Sequence, residues 1–222
     1  MAPSGIAPVA TLGERFEMTP LGKLLSTQNG ICNRLLGIPV VHWFATRIGP
    51  ARLRARSFDV KYRSGEWDFR SDSRDLARLV EQYINKGHLL VLGCGTCSIV
   101  RDLTPNSFTS LLGIDLSVEA ITRARRSSGS RERFEVGDML TFQCQQQYDV
   151  VLFSESLYYV PGRHRAALLH SLRANLTDTG RVIVTIAEPK RYAAILKAIR
   201  LAFDVEVDRA LDSGERHVLV FR

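Results

Sequence analysis

From Asp72 to the last residue the chain alternates two kinds of apolar pattern. "DSRDLARLVEQYINKG" opens on Asp and Ser cap residues, places Leu76, Leu79, Val80 and Tyr83 on one face and stops at Gly87, so it predicts an amphipathic helix. The short apolar run Leu89 to Leu92 then predicts a buried strand. A glycine-containing loop and a helix through Leu103 come next, after which the alternation repeats. "SLLGID" is a strand ending at Asp115, "SVEAITRARR" a helix capped by Ser117, and "RFEVGD" a strand ending at Asp138. "YDVVLFSES" is a strand, "RHRAALLHSLRANL" a helix, "GRVIVTIAE" a strand and "RYAAILKAIRLAF" a helix. "DVEVDRA" and "RHVLVFR" close the chain as two strands about the polar turn Asp212 to Glu215.

Short apolar strands separated by helices of ten or more residues predict an α/β fold, a doubly wound and mostly parallel sheet with helices on both faces. The last two strands share only a short polar loop and must pair antiparallel, which reverses the final strand. Residues 1–71 lack this regularity. Their apolar stretch "LLGIPVVHWFATRIG" is interrupted by Gly37 and Pro39, and it reads as a helical or irregular arm of the same domain, with the sheet domain spanning 72–222.

Composition narrows the class. The chain has 222 residues, 45% hydrophobic and 24% charged, enough for one well-buried core. Met1 to Gly13 show no basic stretch followed by an apolar one, and no run approaches the roughly 20 apolar residues of a membrane span, so a cytoplasmic protein with no membrane role is expected. Four scattered cysteines do not make a disulfide framework. The net charge of +7 gathers as Arg around 47–63 and 123–133; both runs read as solvated faces, and no motif points to nucleic acid.

The chemistry concentrates in "VLGCGTC". Its Cys94-x-x-Cys97 pair reads as a redox loop, and its Gly93-x-Gly95 after a strand reads as a nucleotide-cofactor loop. A thioredoxin-like fold would be shorter and would set an X-Pro turn against the thiols; Pro105 comes too early for that and Pro161 too late. The cofactor reading requires an acid at the tip of the next strand, about 20 residues on, and Asp115 is there. Asp138 adds a further acidic strand end.

The pieces "VLGCGTC", "GIDLS", "VGDML" and "YDVVLFSESLYYV" together resemble the class I S-adenosylmethionine-dependent methyltransferases, from about Asp72 to Arg222. "SGEWDF" with "SESLYYV" is most similar to the nodulation-protein-S type, which modifies small molecules. The resemblance implies a seven-stranded Rossmann-like sheet ending in an antiparallel hairpin, with S-adenosylmethionine as cofactor. It also implies a small-molecule acceptor methylated on oxygen or nitrogen, in a sugar or secondary metabolite, and no metal.

Two positions depart from the pattern: Val91 stands where the family has an acid, and Cys97 where it has a third glycine, which a cysteine fills if φ there is not positive. Carried over, Gly93, Cys94, Gly95 and Thr96 face the methionine moiety. Asp115 takes the ribose hydroxyls, Leu116 packs on the adenine, and Asp138 and Met139 bind its edge. Ser154 joins the cofactor set. Asp115 could instead be a helix cap, and Asp138 a turn former after Gly137.

Glu155 is the leading candidate to hold the acceptor or take its proton. His164 is either a base at the same rim or a surface residue. Tyr158 and Tyr159 either line the pocket or belong to the core. Tyr62, Trp67 and Phe69 either cover the site or dock the arm. A dehydrogenase would share Gly93, Gly95 and Asp115, but too few residues follow for a substrate domain. An amino-methylating nucleic-acid enzyme would carry an Asn/Asp-Pro-Pro-aromatic run where this chain has Ser154-Glu155-Ser156-Leu157. A cofactor-binding interaction protein without turnover is the alternative from another class.

Overall fold

The computed structural model describes residues 30–67 and 74–222. By packing, the chain divides into two compact units, with the break between Lys61 and Tyr62. The first holds α1 (Gly30–Gly37), α2 (Pro39–Ile48) and most of α3 (Ala51–Arg63), so the chain is interrupted at Gly37 and Pro39 as expected. Cys32, Leu36, Ala45 and Leu53 form its small core.

The second unit opens with α4 (Arg74–Ile84), which buries Leu76, Ala77, Leu79, Val80 and Ile84. The helix ends where Asn85 and Lys86 turn left-handed and Gly87 N donates back to Ile84 O. Then follow β1 (His88–Leu92), β2 (Ser110–Asp115), α5 (Val118–Arg126), β3 (Glu132–Val136), β4 (Tyr148–Ser154) and α6 (Gly162–Arg173). The chain closes with β5 (Leu176–Ala187), α7 (Ala193–Ala202), β6 (Val205–Leu211) and β7 (Arg216–Phe221).

The seven strands form one sheet in the order β3-β2-β1-β4-β5-β7-β6. All neighbours from β3 to β5 pair parallel, and β7 runs antiparallel between β5 and β6, which is the reversal expected of the last strand. Successive residues of the central strands feed opposite faces. Leu89, Val91, Val150 and Leu152 pack with α4 and with Ile121 of α5, whereas Leu90, Leu92, Val151 and Phe153 pack with Leu169 and Leu172 of α6 and Ile195 and Ile199 of α7. Strands covered on both sides must be apolar throughout, hence "HLLVL" and "YDVVLFS".

Several boundaries differ from the sequence reading: the expected helix over 163–176 ends at Arg173, and β5 begins at Leu176, ahead of the expected Gly180. The expected helix through Leu103 is a single 3₁₀ turn, Ser98–Arg101; Pro105 lacks the N–H and the φ freedom to continue it. β3 ends at Val136, two residues before Asp138. No helix among the described residues is long and apolar enough to cross a membrane.

Candidate functional site

β1 is flanked by β2 on one side and β4 on the other, while the chain between them runs out to the edge strand β3 and back. Such a switch point leaves a crevice at the carboxyl ends of the strands. The loop after β1 is built for it. Gly93 N and Cys94 N both donate to Ile114 O, at 2.8 and 3.0 Å, which turns the chain across the end of β2. Gly93 and Gly95 have φ of 67° and 56°. A Cβ on Gly93 would stand 2.5 Å from Ser156 Cβ, and one on Gly95 2.3 Å from the Tyr62 hydroxyl oxygen. Both positions therefore demand glycine for conformation and for space.

Asp115 locks this loop. Its Oδ2 accepts from Gly95 N and its Oδ1 from Ser117 N, each at 2.8 Å. The helix cap is Ser117, whose hydroxyl accepts from Ala120 N, so the capping alternative for Asp115 does not apply. Leu116, beside it, is half-buried. Asp138 forms a turn: its Oδ1 accepts from Leu140 N at 3.0 Å, and its carbonyl accepts from Thr141 N and Phe142 N. Met139 reaches back from this turn, and a Cβ on Gly93 would lie 3.0 Å from its Cε.

Cys97 corrects the condition set for it. Its φ is 52° and ψ 49°, in the left-handed region, where an L side chain costs about 1 to 2 kcal/mol. The buried side chain and the bond from Cys97 N to Cys94 O, 2.8 Å, hold it there. Both thiols are free. Burial pushes the Cys94 thiol well above its usual value, and the neighbouring Cys97 thiol and Asp115 push the same way. A thiol kept protonated is a poor disulfide-exchange nucleophile, so the local chemistry favours a cofactor loop over a redox loop. Thr96 is half-buried between the two.

Beyond β4, Ser154 is half-buried and Glu155 turns left-handed with φ 54°. Glu155 N donates to Thr185 Oγ1 at 3.2 Å, and its carboxylate Oε2 accepts from Ala187 N, which fixes the acid against the end of β5. Ser156, which the sequence did not single out, donates its hydroxyl to Leu92 O at 2.6 Å and so ties this segment to the end of β1. The aromatic residues form a row. Tyr62 packs on Trp67 (5.0 Å between centroids), Trp67 on Tyr159 (6.3 Å), Tyr159 on Tyr158 (4.8 Å), and Tyr158 stacks on Tyr192 at 4.5 Å and 4°. Tyr158 is buried in the core and the others are half-buried, with Tyr159 packed against that core. Tyr192 is a member that sequence reasoning missed. His164 is exposed in the first turn of α6, its Nε2 accepting from Arg163 Nε, outside this row. Phe69 lies outside the described residues.

The glycine loop and the acids at the tip of β2 and after β3 all lie at the carboxyl ends of the strands, the edge where parallel sheets bind their ligands. A family model described as a methyltransferase domain matches residues 90–182, from within β1 into β5. The glycopeptide N-methyltransferase MtfA complexed with sinefungin superposes with a TM-score of 0.58 at 14% identity, covering 69% of this chain and 87% of its own. An S-adenosylmethionine-dependent methyltransferase from Clostridium acetobutylicum gives 0.59 at 14%, covering 74% and 98%. The N-methyltransferase NodS from Bradyrhizobium japonicum gives 0.55 at 21%, covering 66% and 91%. MtfA has also been crystallised with S-adenosylmethionine. The sheet unit therefore has the fold of the class I S-adenosylmethionine-dependent methyltransferases, and residues 90–182 are similar to the methyltransferase-domain family model. In this chain the two positive-φ glycines and Asp115 stand together at the end of β1.

Proposed function

We propose that this protein transfers the methyl group of S-adenosylmethionine to an oxygen or nitrogen of a small molecule. One observation carries the reading: the aromatic row starts on the cofactor loop, where the Tyr62 hydroxyl meets Gly95, and runs through Trp67 to Tyr159, four residues from Glu155. A single wall thus borders both the cofactor cradle and the acid at the end of β4. Half-buried aromatics with one wet edge suit a small organic acceptor. Two of the structural neighbours are named as N-methyltransferases, which agrees with this reading.

In this assignment Gly93, Cys94, Gly95 and Thr96 hold the amino-acid end of the cofactor and Asp115 its ribose hydroxyls. Leu116, Asp138 and Met139 flank the adenine, and Ser154 lies beside them. The cofactor supplies an already activated methyl group on a sulfonium. The chain's own task is then to orient the acceptor in line and exclude water, which supplies most of the acceleration without a catalytic dyad. Tyr62, Trp67 and Tyr159 hold the acceptor's body. Glu155, with Tyr158 behind it, holds the acceptor's polar group or takes up its proton, and His164 is a second proton acceptor at the rim.

The test is calorimetric titration with S-adenosylmethionine, S-adenosylhomocysteine and NADH in parallel, followed by an acceptor screen begun with amino sugars and phenols. Micromolar binding of the first two, none of NADH, and methylation of an acceptor are expected. Adenosyl binding without methylation of any acceptor would instead favour an interaction protein that kept the fold.

A further inference from the structure

The helical unit that ends at Lys61 carries a helix with its faces reversed. α2 buries His42, Ala45 and Thr46. Two polar contacts lie inside the unit: His42 Nδ1 is 2.6 Å from Ser57 Oγ, and Thr46 Oγ1 donates to His42 O at 2.8 Å. The outward stripe is apolar. Val40, Trp43 and Phe44 are 58%, 42% and 47% exposed, Ile38 just before the helix is 43% exposed, and the spacing 40, 43, 44, 47 is that of one helical face. Arg47 ends the stripe with its guanidinium 5.4 Å from the Trp43 ring centroid.

Charge belongs to the same unit. Over residues 30–61 the sequence holds Arg34, Arg47, Arg52, Arg54, Arg56 and Lys61 and one acid, Asp59, a net +5; Arg34 and Arg52 are exposed, whereas Arg56 donates to Asn33 Oδ1 and Lys61 is buried.

We propose that this face of α2 docks on an anionic lipid surface, with the helix lying in the headgroup region. Apolar side chains including Trp and Phe, on a unit of net positive charge with Arg34 and Arg52 exposed, are what such a surface recognises: acyl boundary for the stripe, phosphate for the guanidinium groups. Ten residues rise only about 15 Å, too little to cross a bilayer. A second copy of this chain fits less well. The stripe offers on the order of 300 to 400 Å² of apolar surface, so a symmetric pair stays below the roughly 1,200 Å² of a stable interface, and two units of net positive charge repel. Nucleic acid would meet the charge and leave Val40, Trp43 and Phe44 in water.

The experiment is co-sedimentation of the full chain with vesicles of phosphatidylcholine alone and of phosphatidylcholine mixed with phosphatidylglycerol. Binding to the anionic vesicles at least tenfold above the neutral ones is expected. The double variant Trp43→Ala, Phe44→Ala should lose at least tenfold with unchanged circular dichroism. Arg52→Glu, at an exposed position, should weaken binding to anionic vesicles by severalfold, and it keeps the test open if the double variant fails to fold. No binding to anionic vesicles, equal binding to both kinds, or self-association abolished by the double variant would each overturn the proposal.

Discussion

Asp115 and Asp149 are chemically alike and sit at opposite edges of the same sheet. Asp115, at the carboxyl end of β2, accepts from two backbone amides at 2.8 Å, those of Gly95 and Ser117. Asp149, at the amino end of β4, accepts from His88 N at 2.7 Å and Thr177 Oγ1 at 3.0 Å. Each clamps neighbouring segments through one carboxylate. What separates them is what the clamp holds. At the carboxyl edge it holds a loop of positive-φ glycines facing a crevice; at the amino edge it holds the first residue of a strand that is already paired on both sides. A parallel sheet gathers all its strand tips, and so its ligands, at one edge. The same acid is therefore assigned to binding at one edge and to stability at the other.

The largest effect that would sharpen this contrast comes from the loop itself. Gly93→Ala forces a side chain into φ 67° and into Ser156 Cβ at 2.5 Å. We expect S-adenosylmethionine affinity to fall by about a hundredfold or more, because the backbone must move to relieve both faults. Calorimetry with a parallel circular dichroism spectrum checks it, and retained affinity would mean that the cradle is misassigned.

Next in size is Asp115→Ala, which should weaken the cofactor by about 1 to 3 kcal/mol through the freed Gly95 amide and the lost acceptor, with less effect on melting. Asp149→Ala should do the reverse: about 1 to 3 kcal/mol of stability lost in denaturant titration, and cofactor affinity unchanged in the folded fraction. If the two variants gave the same profile, the distinction between the edges would collapse.

The carboxyl edge was largely legible before the structure because its signals are local. Gly93, Gly95 and Asp115 fall at the spacing a strand, a turn and a second strand require, and the reversal of β7 follows from the shortness of the turn at 212–215. What escaped has no local signal. Ser156 bonds to Leu92 across 64 residues, and nothing in "SES" distinguishes it from Ser154. Tyr192 reaches the aromatic row from the turn before α7. The left-handed backbone of Cys97 is a property of the closed loop, which the residue type alone argues against. In α2, the sequence marks the apolar stretch but leaves open which face turns inward, because three short helices and a small core decide it.

The smallest effect belongs to a third carboxylate that has as many partners and neither kind of burial. Asp208 on β6 receives Arg200 through Nε at 2.6 Å and Nη2 at 2.8 Å, and His217 Nε2 lies 2.6 Å from its Oδ1. The Arg200 bonds, then those of His217, hold its carboxyl down to about 2, against the opposing effect of partial burial. A value depressed by folding gives stability that is complete above the ordinary carboxylate value of about 4. It is lost as the pH falls from there toward about 2. The group is 36% exposed, so water and salt screen the pair, and its contribution at neutral pH should be about 0.5 kcal/mol or less. Asp208→Asn should therefore flatten the acid limb of the stability curve over that interval, leave cofactor affinity untouched, and lose even this difference in high salt. A loss at pH 7 as large as that of Asp149→Ala would show that partner number, rather than burial and edge, decides what a carboxylate is worth in this sheet.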